Sequence, residues 1–461
     1  MIYFIGIKKL EMIIDFCLVS FQQEFLFLKI ILKSNQSGID RFSRNLRKKM
    51  KVFKFGGASV RDAESVKNVA EVLESQRFDK CLLVVSAMGK TTNALENVVE
   101  KYFRKDDYQS EIALIKKNHI DIARGLFSEN HSVFDEISLF FDDIESFLRR
   151  NKSPNYNFVY DQVVSCGEMI SSKILSVYLN ESGYPNQWLD ARDYIKTDNT
   201  YREGVVNWEQ TESNIQTLNP GLSYVSQGFI GSDDNNFAVT LGREGSDYSA
   251  AIFAFCLNAD AMTIWKDVPG VMTGDPRKFK NVQLLTNISY EEAIEMAYYG
   301  ASVIHPKTLQ PLKQKHIPFF VKSFIEPQKE GTKVGNSDSN QNTESYILKE
   351  NQVLMRIATR DFSFIAEEHM SLIFSNLAKY QIKISLMQNS AISLALCLED
   401  KYNHIDELNN ELSTFFNTEI VKDVSLFTVR NANTKDLARF YENRKVLLEQ
   451  LSKQTLQMVT H

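Results

Sequence analysis

The sequence predicts an α/β protein with a mainly parallel sheet, followed by a smaller C-terminal α+β region. Three observations predict it. From Lys51 to about Val334, short apolar runs alternate with amphipathic segments, the rhythm of β-α units sharing one sheet. The first run, Val52-Phe53-Lys54-Phe55, ends in Gly56-Gly57-Ala58-Ser59, as a buried strand does when it turns sharply. After a polar stretch over 326–345 without periodicity, the strand and helix pattern restarts on a smaller scale.

The elements follow in order. Strands are expected over 52–55, 81–86, 187–190, 224–229, 261–265 and 318–321, each a short apolar run bounded by turn residues. Helical periodicity fills the intervals at 63–76, 92–103, 159–179, 246–257, 289–299 and 306–314. Residues 105–155 read as polar-faced helices inserted between strand units. In the tail, strands are expected at 352–358, 382–386, 392–398, 424–429 and 456–459, with helices at 370–380, 404–416 and 437–451.

Composition narrows the function classes. A chain of 461 residues has room for two or three domains, and a net charge of −5 gives no global basic field for nucleic acid or anionic lipid. The five cysteines (Cys17, Cys81, Cys166, Cys256, Cys397) are scattered and form no CxxC pair. They suit small core residues in a reducing compartment and a cytoplasmic location, with no zinc site. Residues 1–49 are rich in Phe, Ile, Leu and Lys, but charges interrupt every apolar stretch, so neither a membrane span nor a signal peptide is expected there. Met50 stands directly before the first clean strand, so it is expected to be the true start, with 1–49 an extension of doubtful status.

Four segments converge on phosphate chemistry. In the first, Gly56, Gly57 and Ser59 offer backbone N–H groups to an anion, and Lys54 adds a mobile positive charge; a strand ending in a plain Gly-Gly turn explains the same residues. The second, Ser86-Ala-Met-Gly-Lys-Thr-Thr-Asn93, ends like a P-loop, but Val84 occupies the place of the required first glycine. The third, Thr240-Leu-Gly-Arg-Glu-Gly-Ser-Asp247, opens a helix with Arg243 able to clamp a carboxylate; Asp247 equally suits a helix cap. The fourth, residues 265–277, carries Asp267, Asp275 and Arg277 on a loop after a strand, where open α/β sheets bind ligands, or else makes a surface turn. Glu168 is an acid within an apolar helical run, a substrate ligand or an ordinary paired carboxylate.

KFGGASV, the loop at 86–93, SCGEM, LDAR at Leu189–Arg192, SQGFIG at Ser226–Gly231, LGREGSD, KDVPGVMTGDPR and YYGASVIHP at Tyr298–Pro306 stand in the order found in aspartate kinases. Over roughly 50–335 the chain closely resembles that family. The resemblance implies a three-layer αβα amino-acid-kinase domain over 50–335, a linker over 336–348, and an ACT-like regulatory or dimerisation region over 349–461. In that region one unit looks complete and a second truncated. It implies ATP as co-substrate with Mg²⁺, no dedicated protein metal site, and transfer of the γ-phosphoryl group to L-aspartate, giving 4-phospho-L-aspartate. That is the first step towards lysine, threonine and methionine. The absence of a GxGxxG-opened βαβ unit makes a monofunctional kinase the expectation.

By position, Lys54 matches the lysine that stabilises the transferring phosphoryl group, and Asp247 the acid that orients groups around the phosphates. Thr92, Glu168, Phe229, Arg243 and Ser246 match the aspartate pocket, with Glu168 for the ammonium and Arg243 for the α-carboxylate. Lys54, Phe55, Gly56, Gly57, Ser59, Lys266, Asp267, Met272, Asp275, Arg277 and Ser302 match the ATP side. Departures from the family pattern are Ala58 for Thr, Glu244 for Gly, Met272 for Tyr, Lys266 for Thr and Ser302 for Lys. Lys266 is expected to supply the cation lost at 302. Ser385 replaces an Asp of lysine-sensitive members, so lysine or threonine inhibition and a dimerisation module without effector both stand. A homodimer or higher homo-oligomer is expected. The rival readings are another amino-acid kinase relative and a catalytically silent amino-acid sensor.

Overall fold

A computed structural model describes residues 50–76, 80–301, 304–336, 343–433, 435–442 and 444–461. The extension 1–49, with Cys17, and Ser302 lie outside the described residues. Met50–Leu218 and Leu222–His461 form one compact unit; Asn219–Gly221, a turn closed by the Gly221 N–H on Asn219 Oδ1 at 2.8 Å, is not counted in it.

The first half of the chain runs β1 (Lys51–Phe55), α1 (Ala63–Ser75), β2 (Cys81–Val85), α2 (Thr91–Arg104), α3 (Gln109–Arg124), α4 (Val133–Arg150) and α5 (Tyr156–Glu181). Then come β3 (Gln187–Leu189), α6 (Ala191–Tyr194), α7 (Trp208–Ile215), β4 (Tyr224–Gln227), β5 (Ile230–Ser232), β6 (Ala238–Thr240) and α8 (Gly245–Cys256). The larger region closes with β7 (Ala261–Lys266), β8 (Asn287–Ser289), α9 (Tyr290–Tyr299), α10 (Pro306–Gln314), β9 (Phe319–Ser323) and β10 (Thr332–Gly335). The tail contains β11 (Ser345–Thr359), α11 (Glu367–Lys379), β12 (Lys383–Asn389), β13 (Ser393–Glu399), α12 (Ile405–Leu412), β14 (Phe416–Arg430), β15 (Val446–Ser452) and β16 (Thr455–Thr460).

An eight-stranded sheet in the order β3-β4-β2-β1-β7-β9-β10-β8 forms the middle layer. It is parallel from β3 to β9, and β10 runs antiparallel to β9. Strand alternation sorts its side chains to two faces. Val52, Leu82, Val84, Met262 and Ile264 pack with residues of α8, α9 and α10. Phe53, Phe55, Leu83, Val85 and Trp265 pack with α1 to α5, the two inserted helices included. Lys54 shares the face of Val52, where α8 begins. That parity brings a lysine at the end of one strand to the N-terminus of one helix.

The tail is a six-stranded antiparallel sheet in the order β12-β13-β11-β14-β16-β15. Ile373, Leu377, Ile405, Leu408 and Leu412 of α11 and α12 cover one face of β11 and β13. Two expectations are corrected here. The polar stretch over 326–345 contains β10, where Thr332 and Val334 are buried and Lys333 is exposed; four residues are too few to show against polar flanks. The helix expected over 437–451 is a short 3-10 turn at Ala438–Phe440 followed by β15. The fully buried β16 needs an antiparallel partner, and a tight turn at Lys453 (φ 54°) folds β15 onto it.

The tail sheet meets the larger region directly. The Tyr346 N–H donates to the Thr273 carbonyl at 2.6 Å. Phe279 lies 5.7 Å from the Tyr346 ring and 5.9 Å from that of Phe427. Arg430 pairs with Glu292 of α9 at 2.7 Å.

Candidate active site

Lys54 ends up buried because β1 is the fourth strand in from one sheet edge and neighbours flank it on both sides. Its ammonium stands 2.6 Å from Asp247 Oδ1, and that of Lys266, at the end of β7, stands 3.6 Å from Oδ2. Beyond these cations, neither oxygen of the buried Asp247 takes a hydrogen bond among the described residues. Burial opposes its charge, but Lys54 and then Lys266 outweigh it and hold the carboxyl below its ordinary range.

The chain then turns under this cluster. Gly56 is bare beside Lys54 Nζ, which a Cβ would meet at 3.5 Å. The Ser59 N–H closes the turn on the Gly56 carbonyl at 2.9 Å, and Ser59 Oγ is buried without a hydrogen-bond partner among the described residues. A Cβ at Gly57 would lie 2.7 Å from the Ala87 carbonyl, and the Gly89 N–H donates to the Gly57 carbonyl at 3.0 Å. The loops after β1 and β2 are therefore one packed cradle. Phe55 belongs to the core instead: its ring stacks on Trp265 at 6.1 Å, and its carbonyl accepts from the Ser86 N–H at 3.1 Å.

The second loop runs into α2, which carries Thr91 and Thr92. Gly167 of α5 lets the two helices close: a Cβ there would meet Thr91 Cγ2 at 3.1 Å and Ala87 Cβ at 3.2 Å. Glu168 follows it and is fully buried. Burial pushes its carboxyl up to about 8, opposed by hydrogen bonds from its own backbone N–H and that of Ala87, while Oε2 has no partner among the described residues. A buried acid with an idle oxygen is costly unless a cationic ligand completes it.

Opposite, the segment Thr240–Asp247 is shaped by left-handed backbone at Gly242 (φ 77°) and Glu244 (φ 55°). Gly228 lies against Ser246, whose Cβ a side chain would meet at 2.7 Å, and a Cβ at Gly245 would stand 2.6 Å from the Phe229 ring. Phe229 is itself held at φ 74° and donates its N–H to Ser249 Oγ at 2.9 Å. Arg243 projects into solvent from this rim.

The expected nucleotide loop is more dispersed. Asp267 is exposed, and Met272 pairs with Leu284 in a small hairpin. Asp275 and Arg277 form a bidentate pair with each other, Nε–Oδ1 at 2.9 Å and Nη2–Oδ2 at 2.8 Å, at the surface. Lys54, Asp247, Lys266 and the glycine turn are thus brought together, the helices that carry Thr92 and Glu168 meet at Gly167, and Phe229 and Ser246 lie against Gly245 and Gly228, whereas Asp275 and Arg277 bind one another. Sequence reasoning missed Asp161, a buried acid seven residues before Glu168 on the same side of α5. It accepts from the N–H groups of Arg202 and Thr240 at 2.9 Å each and from Thr240 Oγ1 at 2.8 Å. Burial nevertheless pushes it up to about 6. Its signal was the two-turn spacing from Glu168 on one helix, which gains meaning only once Arg202 and Thr240 are placed against α5.

Fixed ammonium groups beside a glycine cradle, at the carboxyl edge of a parallel sheet, suit the class of α/β proteins that bind and neutralise a phosphate group. Residues 49–323 match the Amino acid kinase family. The chain belongs to that family, in its aspartokinase branch. It is 32% identical to lysine-sensitive aspartokinase 3 of Escherichia coli (strain K12), across 76% of this chain and 78% of that protein. It is 33% identical to the chloroplastic bifunctional aspartokinase/homoserine dehydrogenase 2 of Arabidopsis thaliana, across 61% of this chain and 32% of that protein. The chain spans about a third of the length of such bifunctional relatives. The crystal structure of E. coli aspartokinase III in complex with aspartate and ADP superposes with a TM-score of 0.74 at 27% identity, covering 89% of this chain and 96% of that one.

Proposed function

We propose that this protein is an aspartate kinase: it transfers the γ-phosphoryl group of ATP to the side-chain carboxylate of L-aspartate, giving 4-phospho-L-aspartate and ADP. The observation that carries this reading is the buried Glu168, fit for an amino acid's ammonium group with an oxygen lacking a partner among the described residues, joined through Ala87 to the glycine cradle beside the Lys54–Asp247–Lys266 cluster. Thr92, Phe229 and Ser246 wall the acceptor, and Arg243 reaches its α-carboxylate.

The attacking carboxylate is ionised at neutral pH, so its oxygen bonds to the γ-phosphorus without a general base. The bond from that phosphorus to the β,γ-bridging oxygen breaks, and ADP leaves with the electron pair. Lys54 and Lys266, fixed by Asp247, neutralise charge on the transferring group, and the backbone of Gly56, Gly57 and Ser59 cradles it. Mg²⁺, carried on ATP oxygens, would add further neutralisation; Asp247 is already committed to the two ammonium groups. Asp267 and Met272 line the nucleotide side, with Asp275 and Arg277 shaping the loop.

The division of labour is a catalytic region over 50–335 and an ACT-like region over 349–461 that pairs two copies of the chain in the cytoplasm. A free amino acid, lysine or threonine, is the effector class that region takes. Ser385 Oγ already donates to Gln352 Oε1 at 2.9 Å, which favours a weak lysine response.

The test is ADP release with Mg-ATP and L-aspartate, L-glutamate, N-acetyl-L-glutamate or no acceptor. Turnover that requires L-aspartate and yields an acyl phosphate trapped by hydroxylamine supports the reading. Binding of ATP or aspartate without turnover overturns it in favour of an amino-acid sensor.

A further inference from the structure

Arg202, in the turn at Asn199–Gly204, ties together the three elements that bear the acceptor residues. Its backbone is left-handed (φ 73°), a conformation that disfavours a residue with a side chain. Its N–H donates to Asp161 Oδ2 at 2.9 Å, the same oxygen that receives the Thr240 N–H. Its carbonyl lies against Gly242, where a Cβ would stand 3.2 Å away. The next link is Gly204, whose N–H donates to the Thr240 carbonyl at 2.9 Å. The guanidinium reaches across to Glu96 of α2 at 2.9 Å and lies over the Tyr160 ring of α5 at 4.0 Å.

Each anchor is a short step from an acceptor residue. Glu96 is one helical turn beyond Thr92, Asp161 is two turns before Glu168, and Thr240–Gly242 leads into Arg243. We propose that Arg202 is a positioning residue of the acceptor pocket: by bridging Glu96, Tyr160 and Asp161 it fixes the distance between Thr92, Glu168 and Arg243, and so sets affinity for the amino-acid substrate but not for the nucleotide. This rests on the acceptor site described above. Stability alone does not account for the arrangement. The Arg202 and Glu96 side chains are 38% and 34% exposed, where an ion pair contributes little, and the backbone at 202 is strained.

Arg202→Gly separates the two roles, because glycine accepts the left-handed backbone, keeps the N–H bond to Asp161 and removes the side-chain bridge to Glu96 and Tyr160. The expected result is a melting temperature no lower than that of the parent chain, with KM for L-aspartate raised about ten- to a hundredfold and KM for ATP within about twofold. Glu96→Gln should raise the same KM by a smaller factor, and adding it to Arg202→Gly should change nothing further. An unchanged KM for aspartate in Arg202→Gly, a parallel rise for both substrates with a lowered melting temperature, or full additivity of the two changes would overturn the proposal. Arg243→Gln is the control: if it too leaves KM for aspartate unmoved, the acceptor site itself is misassigned and this inference falls with it. If Arg243→Gln raises KM and Arg202→Gly does not, only the role of Arg202 is lost.

Discussion

Lys54 and Asp247 make each other's burial tolerable, since either charge alone at that depth would be strongly disfavoured. Lys54→Ala should therefore act twice: kcat falls on the order of 10²–10³ or more through loss of a transition-state contact, and Asp247 keeps only Lys266 as a neutralising partner. Steady-state ADP release and a thermal melt measure the two effects. Lys266→Thr should weaken ATP binding, and Lys266→Thr with Ser302→Lys should retain more affinity than the single change; equal losses in calorimetry would refute the compensation. Glu168 carries a pH signature. Burial pushes its carboxyl up to about 8, and holding a substrate ammonium requires the ionised form. Accordingly kcat/KM for aspartate should rise with pH up to about 8 and then level, and Glu168→Gln should flatten that limb. The sign for stability is opposite. A folded-state pKa raised above the ordinary carboxyl value means stability is full below that ordinary value and declines as pH climbs towards about 8, so Glu168→Gln should melt higher than the parent at pH 8. At this scale the residue types were legible in their motifs. Their partners were not: Lys266 beside Asp247 depends on the register of β7 against β1, and Arg277 turning to Asp275 depends on a local turn.

Among elements, close approaches decide the site. Gly167 is the place where α5 meets α2, and a methyl group there would press on Thr91, Ala87 and Leu95 at 3.1–3.2 Å. Gly167→Ala should cost about 1–3 kcal/mol in stability and raise KM for aspartate more than KM for ATP, because the displaced elements carry Thr92 and Glu168. Urea unfolding and initial rates with each substrate varied test it; equal effects on both KM values would argue against this division of the site. The expected strands and helices of the catalytic half were legible because each is a strongly periodic run. β8 and β10 were not, being three and four residues long and stabilised by their neighbours in the sheet. The helix expected over 437–451 failed for the opposite reason: its apolar spacing suits both periods, and only the bare edge of β16 selects the strand.

Across the whole molecule, the tail sheet and the catalytic half share more than a linker. Arg430 sits between Glu292 and Glu295 of α9, with the pair to Glu292 largely sheltered from water. Arg430→Ala should cost about 3 kcal/mol and speed amide exchange along Tyr290–Tyr299, read by mass spectrometry; unchanged protection there would show that α9 does not depend on the tail. The existence of two regions was legible in the polar stretch between them. Their joint was not, because Phe279, Tyr346 and Phe427 come from three distant segments. The hydrogen bond from Tyr346 to Thr273 has a thermodynamic consequence. It fastens the loop after β7 to β11; with that loop on the nucleotide side, as proposed above, a ligand that shifts β11 would alter the free energy of nucleotide binding. By reciprocity, ATP must alter the affinity of that ligand by the same factor. Free amino acids could then be screened by how far each displaces an ATP-analogue binding isotherm, with no turnover needed to detect the coupling.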